Sequence, residues 1–242
     1  MSPVERLHVP VDVGQGPPLV LLHGFGMHPL VYAPTAALLA ERSRVIIPDL
    51  FAMRGRWSFE RTLDALVATL DFLDLERVSL LGHSFGGGIE LGLAGELPER
   101  VVELVFSDTL AVSQEWGLAD EALRHPWELL RLATGPATVA FVGQWLVHPR
   151  QLVSAAWWGF HSRRDGPIAD VAHAGIPAHV MWANRDSILS RADGEKFAEQ
   201  LGATFTVARS FDGRPVDHDW MFQNPHLFVA HLLSLGLRVL SR

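Results

Sequence analysis

The chain has 242 residues, of which 48% are hydrophobic, and its 20 Lys and Arg residues stand against 27 Asp and Glu residues. This length and composition fit one globular domain with a sizeable core and room for an insertion. The net charge of −7 repels phosphate backbones and anionic membrane surfaces, so we expect no nucleic-acid partner and no membrane partner. Because there is no cysteine, a disulfide framework, a thiol nucleophile and a Cys-ligated zinc site are excluded.

Membrane segments, leader sequences and metal motifs leave characteristic patterns, and none is found here. No run approaches the roughly 18 to 20 apolar residues that span a bilayer. The first six residues lack the apolar core of a signal peptide, so we expect a cytoplasmic protein. The 12 histidines are scattered without a ligand spacing such as H-E-x-x-H, and we predict neither a metal nor a cofactor.

Short apolar runs alternate with helical patterns over the first 110 residues. The predicted strands are 7–13, 19–22, 45–47, 78–81 and 101–106. The predicted helices are 29–40, a helix capped by Ser58, and 85–97. Continuously apolar strands in β-α-β alternation are typical of a mostly parallel sheet that helices cover on both faces.

This alternation of strands and helices stops after residue 110 and resumes near residue 177. The intervening segment predicts three or four short helices between two strands, with breaks at Gly135-Pro136, His148-Pro149 and Gly166-Pro167. After it we predict strands at 179–182 and 204–207, a helix opened by a capping box at Ser190 and Asp193 and ended by Gly202, and a last helix from Pro225 with Asn224 as its cap.

A serine between glycines joins the strand at 78–81 to the next helix. The pattern Gly82-x-Ser84-x-Gly86 is that of a nucleophile elbow. A serine at so sharp a turn has a strained backbone, and the glycines remove side chains that would collide there. The sequence therefore predicts a serine hydroxyl held above the sheet edge.

A serine nucleophile needs a base, and the base needs an acid that orients it. Asp186 and His218 follow Ser84 in the order expected after this elbow, and each lies just past a predicted strand. The carboxyl ends of parallel strands meet at one edge, so we expect the three side chains there. Asp108, which ends the preceding strand, is the alternative acid, whereas His226 and His231 fit packing or surface positions better than a base.

Four motifs in this order resemble those of the α/β-hydrolase fold family, in its lidded esterase and C–C hydrolase branch. They are an oxyanion loop at 23–26, the elbow at 82–87, an acid turn at 182–186, and a histidine loop around His218. The acid turn lacks the glycine that relatives often carry, and His218 lies between two aspartates instead of after a glycine.

The resemblance implies an α/β-hydrolase fold with a mostly parallel sheet, flanking helices and an inserted helical cap. It implies a core of residues 1–110 and 177–242 and a cap of residues 111–176 over the site. It also implies that the backbone N–H groups of Phe25 and Phe85 form the oxyanion hole.

The cap segment holds five of the 8 tryptophans. A small cap has little interior, so we expect one or two of them in the substrate pocket, and we predict His28, Trp145 and Trp157 as pocket residues. His23 and His83 flank tight turns and are expected to be hydrogen-bonded supports. We interpret Arg163-Arg164 as a solvated charge cluster; the alternative is that the two arginines bind a carboxylate as a clamp.

These patterns favour a serine hydrolase that cleaves small esters with an apolar acyl or aromatic group through an acyl-enzyme. Activity should rise through about pH 6 to 7, because the histidine base must be neutral. A C–C bond hydrolase of the meta-cleavage-product type, a lactonase, a thioesterase or a perhydrolase could use the same three residues. A ligand-binding receptor on this fold is the alternative without turnover. The sequence does not predict an oligomeric state.

Overall fold

The computed structural model describes residues 5–110, 136–161 and 165–241. Its strands are β1 (Val11–Val13), β2 (Pro18–Leu22), β3 (Arg44–Ile47), β4 (Val78–His83), β5 (Val101–Ser107), β6 (Ala178–Ala183) and β7 (Thr204–Ala208). They form one seven-stranded sheet in the order β1-β3-β2-β4-β5-β6-β7. Only β1 runs antiparallel to its neighbour, and all other pairs are parallel. The predicted mostly parallel sheet is confirmed.

Both faces of the sheet are covered, which explains why the central strands are apolar throughout. In β2, Val20 and Leu22 belong to the core on one face, whereas Leu19 and Leu21 belong to the core on the other. Successive side chains of a strand point to opposite faces, so a strand with helices on both sides needs no polar position.

The helices follow the predicted patterns closely. They are α1 (Ala33–Leu39), α2 (Phe59–Phe72), α3 (Phe85–Glu96), α4 (Pro136–Val147), α5 (Pro149–His161), α6 (Asp165–Ala174), α7 (Arg191–Leu201), α8 (Trp220–Gln223) and α9 (Pro225–Ser234). Within the described ranges, no helix is both long enough and apolar enough to cross a bilayer.

Predicted helix ends are confirmed in part. Ser58 caps α2 by accepting a hydrogen bond from the Arg61 backbone N–H, and Gly202 ends α7 with a φ of 64°. Ser190 and Asn224 are the N-cap residues of α7 and α9, as predicted, but neither side chain makes the capping hydrogen bond.

Three predicted elements differ from the structure. The first strand is only β1, and Leu7 instead donates its backbone N–H to Thr69 Oγ1 at 2.9 Å. The helix expected over 29–40 is a 3₁₀ turn followed by α1, because Pro34 has no N–H to continue the ladder. Pro167 does not break a helix, since it lies in the first turn of α6, where a backbone donor is not needed.

Helices α4, α5 and α6 occupy the described part of the segment between β5 and β6. Residues 111–135, with Trp116 and Trp127, lie outside the described residues, as do Arg163 and Arg164. Helix α6 packs against α3 and α7 and buries Ile168 and Val171 in the main core. It therefore belongs to the layer of helices around the sheet, although the expected cap of residues 111–176 included it.

A carboxyl group lies inside the core beneath the elbow. Glu90 of α3 is fully buried, and its Oε1 accepts a hydrogen bond from the Val105 backbone N–H at 3.1 Å. Among the described residues, its Oε2 has no hydrogen-bond partner. Burial raises the pKa of Glu90 well above its usual 4.5, so the native state favours the neutral acid.

Replacing Glu90 by Gln should change how stability depends on pH. A carboxyl whose pKa is raised by folding stabilises the native state below its unfolded pKa, here about 4.5, and loses that contribution as the pH rises toward the folded pKa. The free energy of unfolding of the wild type should therefore fall relative to Glu90→Gln between pH 5 and 8, by at most about 1.4 kcal/mol per pH unit. Urea unfolding at several pH values measures this difference, with the exposed Glu60→Gln as control. A difference that does not change with pH would contradict the neutral Glu90.

Candidate active site

Ser84 lies at a strained turn between β4 and α3. Its φ of 52° and ψ of −117° are rare for a residue with a side chain. A Cβ at Gly86 would overlap the Leu22 backbone, and one at Gly82 would overlap the Glu90 carboxyl. The two glycines let α3 start directly against β2 and β4, and this holds the Ser84 side chain at the helix N-terminus.

Asp186 and His218 are hydrogen-bonded to each other at the same sheet edge. His218 Nδ1 lies 2.8 Å from Asp186 Oδ2, and the two side chains are only 5% and 1% exposed. The other carboxylate oxygen, Oδ1, accepts from the backbone N–H groups of Ile188 and Leu189, both at 2.8 Å. Three donors therefore hold this carboxylate, and it in turn orients the imidazole.

His218 is also close to the elbow. Its ring centroid lies 5.1 Å from that of His83, the residue that precedes Ser84. The structure thus places the histidine loop beside the elbow and brings the predicted residues from three separate strand ends into one region.

Asp108 occupies a different role from Asp186. It is fully buried at a φ of 46°, and its carboxylate accepts from Ala183 N at 2.7 Å, Trp220 Nε1 at 2.6 Å and Ser107 Oγ at 2.9 Å. These donors tie β5 to β6 and to α8. His218 Nδ1 donates its hydrogen bond to Asp186 and not to Asp108, so geometry favours Asp186 as the acid.

The oxyanion loop is held by a buried histidine. The Leu50 backbone N–H donates to His23 Nε2 at 3.0 Å, so the ring proton is on Nδ1, which donates to Gly24 O at 3.0 Å. Burial lowers the pKa of His23, which keeps the ring neutral. In the part of the chain that the structure describes, the backbone N–H groups of Phe25 and Phe85 have no acceptor.

An aromatic cluster adjoins the elbow. Its members are joined by ring contacts of 5.4 to 6.2 Å between centroids and are Phe25, Phe51, Trp57, Phe85, Trp145 and Trp158. The ring of Phe85 is central, because it meets four of the other five. We did not expect Phe51 or Trp57 here, because their place depends on how the loop after β3 folds back over the elbow.

The predicted pocket residues have different surroundings. His28 Nδ1 accepts from the Leu30 backbone N–H at 3.2 Å and caps the 3₁₀ turn before α1. Trp145 lies in the aromatic cluster, 6.2 Å from Phe25. Trp157 is 65% exposed and stacks on His161, so its contacts with the described residues do not support a pocket role.

Trp158, the neighbour of Trp157, was not predicted as a pocket residue. Trp158 is half-buried, 5.4 Å from Phe85 between ring centroids, and stacked on Phe59 at 4.7 Å. The signal was present in α5, because Leu152 and Ala155 are buried at a spacing of three and Trp158 continues that face.

Helix α4 touches the oxyanion loop directly. A Cβ at Gly26, which has a φ of 67°, would lie 2.6 Å from the Phe141 ring of α4. Two amide side chains attach α4 and α5 to the loop after β3. Gln144 Nε2 of α4 donates to Asp49 Oδ2 at 3.1 Å, and Gln151 Nε2 of α5 donates to Met53 O at 2.9 Å.

A family model described as the alpha/beta hydrolase family matches residues 19–231. The chain belongs to the α/β-hydrolase family. It is 39% identical over 114 residues to a 2-hydroxy-6-oxo-2,4-heptadienoate hydrolase of Pseudomonas putida, a match that covers 43% of this chain and 41% of that protein. The next curated relatives are matched over 32% of their length, so the chain spans well under half the length of the first curated relatives that it matches.

Solved structures share the fold of this α/β-hydrolase over nearly its whole length. A thermophilic esterase from Thermogutta terrifontis superposes with a TM-score of 0.76 at 20% identity, covering 96% of this chain and 93% of the esterase. The enol-lactonase from Burkholderia xenovorans LB400 superposes with a TM-score of 0.71 at 18% identity, covering 95% and 96%. At these identities the likeness shows the fold alone.

Charge around His218 sets its protonation in this α/β-hydrolase. Burial lowers the pKa of His218, but the charge and hydrogen bond of Asp186 together with the charges of Asp219 and Asp108 outweigh it and raise the pKa above 6.5. Burial in turn raises the pKa of Asp219 to about 6. The expectation of an ordinary histidine pKa is therefore wrong, because it ignored three buried carboxyl groups.

Two groups of His and Asp side chains in the described ranges lie close enough to share an ion, and both include His218. One adds Asp108 and Asp186, and the other adds His83 and Asp219. His218 Nδ1 is hydrogen-bonded to Asp186, and both ring nitrogens of His83 are in hydrogen bonds, so an ion bound through these atoms would have to displace their partners.

Replacing Asp186 by Asn should lower the His218 pKa, because it removes the charge and the acceptor at Nδ1. The amide can present its NH₂ to Nδ1, which moves the ring proton to Nε2. Asp108→Asn is the matched control: it should mainly lower the free energy of unfolding, by about 1 to 3 kcal/mol, because an NH₂ group would face buried donors. Histidine NMR titration and urea unfolding measure the two effects. A larger fall of the His218 pKa in Asp108→Asn would assign the acid to Asp108.

Proposed function

We propose that this α/β-hydrolase cleaves small carboxylic esters through an acyl-enzyme formed on Ser84. The observation that carries the proposal is the buried hydrogen bond between His218 Nδ1 and Asp186. In the neutral ring the carboxylate holds the proton on Nδ1, so the lone pair on Nε2 is free to accept a proton from the serine hydroxyl, and the raised pKa of His218 moves this form to higher pH than an ordinary histidine. Two backbone donors fix Asp186, which supports an imidazole set in this tautomer before substrate binds.

In the proposed reaction, Ser84 Oγ attacks the ester carbonyl carbon while its proton passes to His218 Nε2. The tetrahedral intermediate collapses, the C–O bond to the alcohol breaks, and His218 returns the proton to the leaving alcohol. Water then repeats the attack on the acyl-enzyme, with His218 again taking and returning a proton, and the acid leaves.

The oxyanion of the intermediate would be bound by the backbone N–H groups of Phe25 and Phe85. Neither group has an acceptor among the described residues. Phe85 opens α3, and a helix N-terminus favours negative charge. The His23 ring fixes the Gly24 carbonyl and with it the plane of the peptide that carries the Phe25 N–H. Preorganised donors of this kind are worth about 3 to 4 kcal/mol each in comparable sites.

The aromatic cluster supports a substrate with an apolar acyl or aromatic group. Phe85 follows the nucleophile directly, and its ring is surrounded by other rings instead of charges. Trp145 of α4 and Trp158 of α5 reach this cluster from the inserted segment, and Gln144 and Gln151 attach the same helices beside it. These contacts support a cap over the site, to which α4 and α5 contribute.

A C–C bond hydrolase is the second candidate. It is favoured by the relative named for 2-hydroxy-6-oxo-2,4-heptadienoate, which is 39% identical over 114 residues. The same serine, histidine and carboxylate could serve that reaction, as they could a lactone or a thioester. A panel of p-nitrophenyl esters of increasing acyl length, run beside a dienone C–C substrate, discriminates the candidates. We expect the highest kcat/KM for short or aromatic acyl esters, and a preference for the dienone would replace the ester proposal.

Ser84→Ala should abolish ester turnover, by at least about 10³-fold, because it removes the proposed nucleophile. A fluorophosphonate probe should label the wild type and not the variant. Ser241→Ala, which removes an equivalent hydroxyl far along the chain, is the control and should be labelled like the wild type. Wild-type turnover in Ser84→Ala would overturn the mechanism, and a folded wild type that the probe does not label would favour a ligand-binding receptor.

A further inference from the structure

A chain of hydrogen bonds links the three loops that carry the proposed reacting groups. The Gly24 backbone N–H donates to the Tyr32 hydroxyl oxygen at 3.0 Å. The Tyr32 hydroxyl lies 2.8 Å from His83 Nδ1, and His83 Nε2 lies 3.1 Å from the His218 carbonyl oxygen. The chain therefore runs from the oxyanion loop, through the elbow, to the histidine loop.

We propose that Tyr32 and His83 are positioning residues that hold the oxyanion loop, Ser84 and His218 at fixed separations. The inference rests on the proposed function for its catalytic consequence, but the hydrogen-bond chain itself can be tested without activity. Three of its four members are, or directly precede, a residue with a proposed reacting group: Gly24 precedes Phe25, His83 precedes Ser84, and the carbonyl belongs to His218.

The proton positions in this chain follow from its two ends. A backbone N–H can only donate, so the Tyr32 oxygen accepts from Gly24 and its hydrogen is free to point at His83 Nδ1. A carbonyl can only accept, so His83 Nε2 must carry the ring proton. All the bonds are satisfied only by the neutral imidazole. A protonated ring would present a second donor to Tyr32 and leave the hydroxyl hydrogen without an acceptor.

The surroundings agree with a neutral ring. Tyr32 is fully buried and His83 is 1% exposed, so water does not replace a lost partner. Burial lowers the pKa of His83 to about 3, and the nearby His218 and His23 lower it as well. Leaving a buried donor or acceptor unpaired here would cost about 1 to 3 kcal/mol.

Packing brings the three loops close enough for this chain. A Cβ at Gly24 would lie 3.1 Å from His83 Nδ1 and 3.3 Å from the Tyr32 hydroxyl, closer than most side chains tolerate. The Tyr32 ring is fixed from its other side by Phe222, at 5.3 Å between centroids. Because an error of about 1 Å in the placement of reacting groups can cost about 10²-fold in rate, contacts of this kind matter for turnover more than for binding.

Tyr32→Phe tests the proposal, because it removes one hydroxyl and keeps the ring. We expect kcat for a p-nitrophenyl ester to fall about 10- to 100-fold while KM changes less than about threefold. His83→Phe should have a similar effect, and the double variant should be no worse than either single one, because each breaks the same chain. His83→Gln, which keeps a donor for the His218 carbonyl, should recover part of kcat. Phe222→Leu loosens the Tyr32 ring without removing a hydrogen bond, and it controls for lost packing when thermal unfolding is measured in parallel.

A second measurement is independent of the chemistry. The ¹⁵N spectrum of His83 should show a neutral ring protonated at Nε2 down to about pH 5, and Tyr32→Phe should speed hydrogen exchange at the Gly24 amide. Wild-type kcat in Tyr32→Phe, additive losses in the double variant, or a His83 ring protonated at Nδ1 would each overturn the proposal. If the wild type cleaves no ester and is not labelled at Ser84, the proposed ester function is wrong. The ¹⁵N and exchange measurements still decide whether the hydrogen bonds from Gly24 through Tyr32 and His83 to His218 exist.

Discussion

The close approach of α3 to β2 and β4 is the constraint on which the candidate site depends. Gly82 and Gly86 leave no room for a side chain against Glu90 and the Leu22 backbone, and Ser84 takes a positive φ as a result. Such a backbone persists only where the surrounding packing over-determines it, and here the two apolar cores of the sheet supply that packing. The direction of the Ser84 side chain is thus set by the packing of the core around its backbone.

Much of the fold could be predicted because its signals are local. The continuous apolar runs of β2, β4 and β5 and the spacing in α2 depend only on neighbouring residues, and the elbow motif lies directly between one such strand and the next helix. The order of Ser84, Asp186 and His218 then follows from topology, since parallel strands end at the same edge. The Asp186 to His218 hydrogen bond lies where that order predicts.

The parts that could not be predicted are set by contacts between distant residues. Tyr32 and His83 are 51 positions apart, and Gln144 and Asp49 are 95 apart, so no periodicity connects them. The raised His218 pKa depends on carboxyl groups from three loops, and a standard value cannot include them. The choice of Trp157 as a pocket residue is of another kind, because the sequence spacing of Leu152 and Ala155 places Trp158 on the buried face of α5.

The contact between Gly26 and Phe141 limits how this enzyme can be recombined with its relatives. Position 26 has both a positive φ and a ring within contact distance of where a Cβ would be, so the loop accommodates Phe141 only as glycine. Helix α4 and the oxyanion loop must therefore be replaced together when segments are swapped between family members. A chimaera that takes α4 from another family member needs that member's loop as well, and substitutions at these two positions are expected to covary in evolution.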